Sequence, residues 1–256
     1  MMKKIMFFIS FLIYISFIHN SYSQILNIER QRDYDDTLDN WKGYISTQID
    51  VQKQQVQTIM LGYNENVTYY GHINNYSIIS EAHLLKVKGS DILSNGYIHL
   101  RANFFKRKKV SYEFFGQGQY DEARGLKERL LVGSGLRFHK EVSHKFSAAI
   151  GNGLMYEFEH WNFKDIDSTT IFLKNTNYVS FHYEANNMLN IILTGYYQAR
   201  FETFDKPRII GDFSLDIKLG KKLRYTVRYS ILHDAIPVVP INKTIYSLRN
   251  GLRYDF

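Results

Sequence analysis

Three histidines lie close in sequence to groups that could make them catalytic: His160 near Asp165 and Asp167, His233 beside Asp234, and His182 two residues after Ser180. A serine, a histidine and an orienting acid are the parts of a hydrolase, in which the histidine takes the serine proton and the acid holds the imidazole. Nothing here fixes the nucleophile. No Gly-x-Ser-x-Gly elbow occurs, and Ser180 and His182 share the charged face of one strand. Scattered histidines among surface charges are the plainer reading, so no catalytic residue is assigned. Asp165, Asp167 and Glu159 could meet a divalent cation, although an acidic stretch in a loop is usually only solvated. Gly116-Gln-Gly118 and Gly151-Asn-Gly153 are lone glycine pairs on strands and make no phosphate cradle. The sequence calls for no metal and no cofactor.

The charges closer to the C-terminus are better organised. Asp212 and Asp216 share one parity with Arg208, Ser214 and Lys218, while Ile209, Phe213, Leu215, Ile217 and Leu219 take the other. The next stretch sets Arg224 and Arg228 against Leu223, Tyr225, Val227, Tyr229 and Ile231. The last sets Arg249, Arg253 and Asp255 against Tyr246, Leu248, Leu252, Tyr254 and Phe256. Side chains on a strand point alternately to its two faces, so each stretch has one apolar and one charged side. Asp212, Asp216, Arg224, Arg228, Arg249 and Arg253 would then form a ladder on three neighbouring strands. Such a ladder either fills and rigidifies a narrow interior, because a charge in a low dielectric needs a partner, or lines a water-filled channel that leans toward anions. The balance of signs favours the filled interior.

The elements that carry these residues are strands throughout. Alternation predicts twelve, near 42–52, 55–69, 74–88, 95–105, 109–119, 124–138, 144–158, 177–185, 188–203, 207–219, 222–233 and 243–256, with ten strands also compatible. Many exceed the ~5–6 residues of an ordinary strand and reach the ~9–11 that cross a bilayer at a tilt. Aromatic residues gather at strand ends (Tyr69, Tyr70, Phe104, Phe105, Tyr156, Phe158, Tyr254 and Phe256), as interfacial girdles require. Short turns should follow even-numbered strands, among them His139–Ser143. Longer loops should follow several odd-numbered ones, the longest running from Glu159 to Thr176. The expected fold is all-β, a transmembrane antiparallel up-and-down barrel over residues 42–256. Glycines 133, 135, 151 and 153 should point inward and make room for a ring such as Phe115.

Composition and the chain ends agree with this. Lys3 and Lys4, the apolar run Ile5–Ile18 and the small residues Ser21 and Ser23 have the layout of a secretory signal peptide over 1–23, cleaved near Ser23. Residues 24–41 read as a polar leader. There is no cysteine, which excludes disulfides and a lipoprotein anchor. With 20 tyrosines, 18 phenylalanines and 3 prolines the chain suits long ladders. A formal charge of +7 is a mild basic bias, suited to phosphate-rich lipid and lipopolysaccharide rather than to nucleic acid. Leu252, Tyr254 and the terminal Phe256 form an amphipathic ending of the kind read by the barrel-assembly machinery of a bacterial outer membrane.

Trp41-Lys-Gly43, the stretch Gly125-Leu-Lys-Glu-Arg-Leu-Leu-Val-Gly-Ser-Gly-Leu136, and Pro237 and Pro240 ahead of Lys243–Phe256 together resemble the salt-induced outer-membrane protein family, a β-barrel family built on a domain of unknown function. The resemblance runs from Trp41 to Phe256. It implies an outer-membrane barrel and brings no functional residues with it. The expected function is a structural barrel or a narrow, anion-leaning channel with an ion-paired lumen. The alternatives are an outer-membrane lipid hydrolase, or a binding module that works through the Glu159–Thr176 loop.

Overall fold

A computed structural model describes residues 40–53, 57–87, 90–186 and 188–256. Twelve strands form one closed antiparallel barrel in which each strand pairs with its neighbours in sequence and the last pairs with the first. They are β1 (Asn40–Lys53), β2 (Gln57–Tyr70), β3 (Asn75–Val87), β4 (Ser90–Phe104), β5 (Val110–Asp121), β6 (Leu126–Ser143), β7 (Phe146–Phe163), β8 (Ile166–Asn186), β9 (Leu189–Arg200), β10 (Arg208–Lys218), β11 (Leu223–Asp234) and β12 (Thr244–Asp255). The expected signal peptide lies outside the described residues, as does the leader up to residue 39. Asn40 and Trp41, placed in that leader by sequence, already belong to β1.

Alternation decides which way each side chain faces. Ile98, Leu100, Val132, Ile150, Tyr156, Leu248 and Leu252 stand outward and are about half exposed, while Asn64, Glu81, Glu113, Glu157 and Asp212 stand inward and are buried. A soluble barrel would place these two sets the other way round. An apolar outer wall around a charged interior, with every ladder closed, is the arrangement that spans a membrane with strands.

Both described chain ends lie at one end of the barrel, here the near end. The turns there are tight, and the β6–β7 turn is the pair His144–Lys145. The expected turn at His139–Ser143 is instead the end of β6, which pairs with β7 as far as Ser143 opposite Phe146, with a register shift after Glu141. The opposite, far end departs more from expectation. The predicted Glu159–Thr176 loop is a hairpin: β7 and β8 pair without a break from Met155 opposite Lys174 to Phe163 opposite Ile166. Lys164 makes the turn with φ 55°. Residues 90–94, expected in a loop, open β4. Ala235–Lys243 is a genuine loop between β11 and β12.

Two further placements differ. Tyr70 points into the lumen and is buried rather than standing in a girdle, where Lys42 and Lys106 lie over its ring. A register shift between Leu126 and Glu128 turns Lys127, whose parity with Arg129 points inside, to the outer surface, as a bulge does by inserting one residue. Glu202, whose parity with Arg200 also points inside, is exposed in a single 3-10 turn (Phe201–Thr203). The inward glycines behave as expected: a Cβ on Gly133 would lie 2.3 Å from the Phe115 ring, and one on Gly151 would lie 2.0 Å from Tyr178.

The seam differs from the other ladders. β1 runs in register with β2 along its whole length, whereas its register with β12 spans only Tyr44–Thr47 opposite Asp255–Leu252. Below that, Phe256 N donates to Gly43 O at 3.0 Å, and within the span Ser46 Oγ donates to Leu252 O at 2.9 Å.

Candidate functional site in the barrel lumen

Inward parity supplies the lumen with charges, and barrel curvature chooses their partners. At the far end six charges from five strands meet. Glu157 on β7 accepts from Arg129 Nε on β6 at 2.8 Å, from Lys174 on β8, and from Arg208 Nη1 on β10 at 3.3 Å. Glu159 accepts from both Arg208 Nη atoms at 3.1 Å and from Trp161 Nε1 at 2.9 Å. Arg208 Nε also donates to Asp234 on β11 at 2.9 Å. Arg208 therefore reaches across the barrel to β7, three strands away, and ties the two walls together. Glu157 and Glu159 are sealed from solvent. Charges this dry persist because each finds opposite charges and hydrogen bonds on several sides.

Midway down, Glu81 on β3 accepts from Arg249 on β12 and from Asn64 Nδ2 at 2.9 Å, and contacts His83 Nε2 at 2.9 Å. Glu113 on β5 accepts from Arg101 and, across the lumen, from the Tyr178 hydroxyl on β8 at 3.0 Å. At the near end Asp255 accepts from Arg224 and from Arg253 Nε at 2.6 Å, and Arg253 Nη1 donates to Asp216 at 3.3 Å. Arg253 also lies 4.1 Å from the Tyr44 ring centroid.

The predicted ladder residues all face inward, but they are not paired as nearest neighbours. Register sets Arg228 opposite Arg249 and Arg224 opposite Arg253, like charge beside like. Asp216 therefore reaches past β11 to Arg253, Arg249 reaches across to Glu81, and Asp212 accepts from Ser230 Oγ at 2.7 Å. Arg228 lines the space beside Glu81, His83 and Arg249. Leu252, Tyr254 and Phe256 are exposed on the outer wall.

Sequence reasoning missed what closes the far end. The β11–β12 loop folds inward, and Val239 is buried against Leu126 and Trp161 on the opposite wall, with Val238, Ile241 and Phe163 packed around them. Ala235 N donates to Pro207 O at 3.2 Å and Ile236 N to Asp234 Oδ1 at 3.2 Å, which fixes where the loop leaves β11. Gly125, at φ 76°, lets the β5–β6 turn approach the β7 backbone, where Asn162 N donates to Gly125 O at 2.7 Å. This sets Leu126 beside Trp161. A readable signal exists: Ile236-Pro-Val-Val-Pro-Ile241 is an apolar run in the middle of a loop. Below the lid and the far charges lies a cavity of about 90 Å³, lined by Phe115, Leu131, Met155, Tyr178, Tyr196 and Ile210 together with His99, Arg101 and Gln198. It has room for a few water molecules.

The histidines do not come together. His182 contacts Asn190 Oδ1 at 2.5 Å inside the near half, where Ser180 instead contacts Thr194 at 3.0 Å. His160 contacts Asp167 at 3.2 Å on the far hairpin, and His233 contacts Thr244 at 2.8 Å beside the lid. Among the described residues no group of His, Cys, Asp and Glu is arranged to hold a metal ion.

A family model described as "Protein of unknown function, DUF481" matches residues 55–256. Its description makes no reference to salt. No curated protein matches the chain. Among solved structures, the NanC porin is similar at 8% identity with a TM-score of 0.50, covering 83% of this chain and 98% of that one. The translocator domain of the autotransporter NalP from Neisseria meningitidis is similar at 12% identity and TM-score 0.49, covering 90% and 92%. A KdgM porin is similar at 13% identity and TM-score 0.46, covering 85% and 99%. At 8% identity the likeness to NanC concerns the fold alone.

Proposed function

The chain belongs to the family of proteins of unknown function DUF481, and on that premise we propose that it is an outer-membrane barrel acting as a narrow channel for small polar solutes, closed at its far end by the β11–β12 loop. In this reading the signal peptide exports the chain, and Leu252, Tyr254 and Phe256 present the last strand to the assembly machinery. The outer wall then sits in lipid and lipopolysaccharide, with the near end in the periplasm and the far end outside.

The observation that carries the channel reading is the division of labour in the lumen. The wall carries charged tiers at the far end, midway and at the near end, interrupted by an apolar cluster of Tyr196, Ile210 and Leu232, and the apolar plug at the mouth is borne in part by a loop. A barrel that was only structural could fill its mouth from the wall itself. Opposite charges are closely matched in number at the far tier, three acids against three bases, so the lining field is near neutral and any lean toward anions is slight.

Planar-bilayer recording tests this. Wild-type protein should be mostly closed. Val239→Asp should release the loop from Leu126 and Trp161 and give discrete conductance with weak ion preference. If a folded Val239→Asp barrel stays silent, the channel reading fails and a structural barrel remains.

A further inference from the structure

The outer wall breaks its own rule at half height. Outward side chains along β8 run Ile171, Leu173, Asn175, Asn177, Val179, Phe181, and on β7 Asn152 stands between Ile150 and Leu154. Apolar residues flank the three asparagines toward both ends, so the amides sit inside the apolar band rather than at its border. They are joined in a chain: Asn152 Nδ2 donates to Asn177 Oδ1 at 2.5 Å, Asn177 donates to Asn175, and Asn175 Nδ2 donates to Gly153 O at 3.2 Å. A primary amide has two N–H donors, and these bonds use one from each residue. The second donors, and the Asn152 oxygen, are left to whatever covers the wall.

Hydrocarbon can satisfy none of them. Polar side chains at membrane depth face protein or a water-filled space, and association there works through small residues that let walls approach and amides that bond across the gap. Small outward residues lie one step from the asparagines, Ser134 on β6 opposite Leu154 and Gly195 on β9 opposite Val179, while Leu136 and Tyr197 stand directly opposite Asn152 and Asn177. An added Cβ on Gly195 would meet no atom closer than 3.9 Å.

We propose that this face is covered by a second copy of the chain, related by a two-fold axis that runs through the β7–β8 wall along the membrane normal. The inference rests on membrane placement of the barrel. An amide carries donors and an acceptor together, so the same patch satisfies itself across a two-fold, which is what an isologous contact needs. The patch holds no charge, which speaks against a strongly acidic or basic partner. The asparagines also lie on long strands, β7 with 18 residues and β8 with 21, which give the contact a long wall.

The chain has no cysteine, so single cysteines report cleanly. Asn152→Cys or Asn177→Cys, oxidised in native membranes, should give a disulfide-linked dimer, while Ile45→Cys on the opposite wall should not. The triple variant Asn152→Leu, Asn175→Leu and Asn177→Leu should keep a folded barrel but lower the dimer fraction at least tenfold in single-molecule photobleaching. Equal cross-linking at Ile45→Cys, a monomeric wild type, or an undiminished dimer in the triple variant would each overturn the proposal. Membrane placement is read separately, from a heat-modifiable gel band and resistance to carbonate extraction, so its failure is not mistaken for absence of a dimer.

Discussion

The two ends of the lumen are built from the same kinds of side chain and differ in how much water reaches them. At the far end Glu157 and Glu159 are 0% and 1% exposed and share Arg129, Lys174 and Arg208 beneath an apolar lid. At the near end Arg224 and Asp255 keep 23% and 21% of their side-chain surface, and no loop folds over them among the described residues. A charge pair in water contributes little, because solvent already serves both partners. A pair taken out of water is costly to assemble and costlier to break, because the survivor is stranded. Similar ion pairs should therefore act as a tether at one end and as a solvated lining at the other.

The sharpest way to break that contrast is Glu157→Gln, which leaves three bases around a neutral amide. It should lower unfolding stability by ~3–5 kcal/mol, read as the urea midpoint in detergent. A loss under ~1 kcal/mol, the range of an exposed pair, would mean that water reaches the far tier. Gly151→Val tests the middle. Its added carbons meet the Tyr178 ring, which must swing away from Glu113, and the strain should cost ~1–3 kcal/mol. Pairing it with Tyr178→Ala should recover part of that loss, since contacting residues are not additive. The smallest effect belongs to Arg224→Gln at the near end, expected to cost at most ~1 kcal/mol and to fade further in salt. If it matched Glu157→Gln, the contrast between the ends would collapse.

Much of the barrel is legible in the sequence, and the exceptions have physical causes. β10, β11 and β12 were readable because nearly every second residue is apolar, with Gly211 and Asn250 as interruptions inside the run. The first half of β8, before the strand expected at 177–185, was not, because Lys174 and Thr176 face the lumen while Asn175 and Asn177 face outward. With both faces polar the alternation vanishes, and a strand reads as a loop. For Lys127 the parity of β6 points inside, but it runs through a bulge that periodicity cannot show. For the lumen, direction was readable and partners were not. That Arg208 meets Glu159, or Arg249 meets Glu81, depends on which strands face each other after closure, and no local pattern encodes it. The Val239 plug had a signal in the apolar run between two prolines, but its target on the opposite wall again exists only in the closed barrel.

The short seam between β1 and β12 has a kinetic consequence. Every other ladder joins consecutive strands, so those pairings can form as hairpins with little chain to bring together. The seam alone unites distant segments; Ser46 and Leu252 are 206 positions apart. The largest single loop-closure cost thus falls on this one pairing, secured by a few residue pairs near the chain ends. An eleven-ladder sheet open at that edge is the natural folding intermediate, and how long it persists is set by how quickly Tyr44–Thr47 finds Leu252–Asp255.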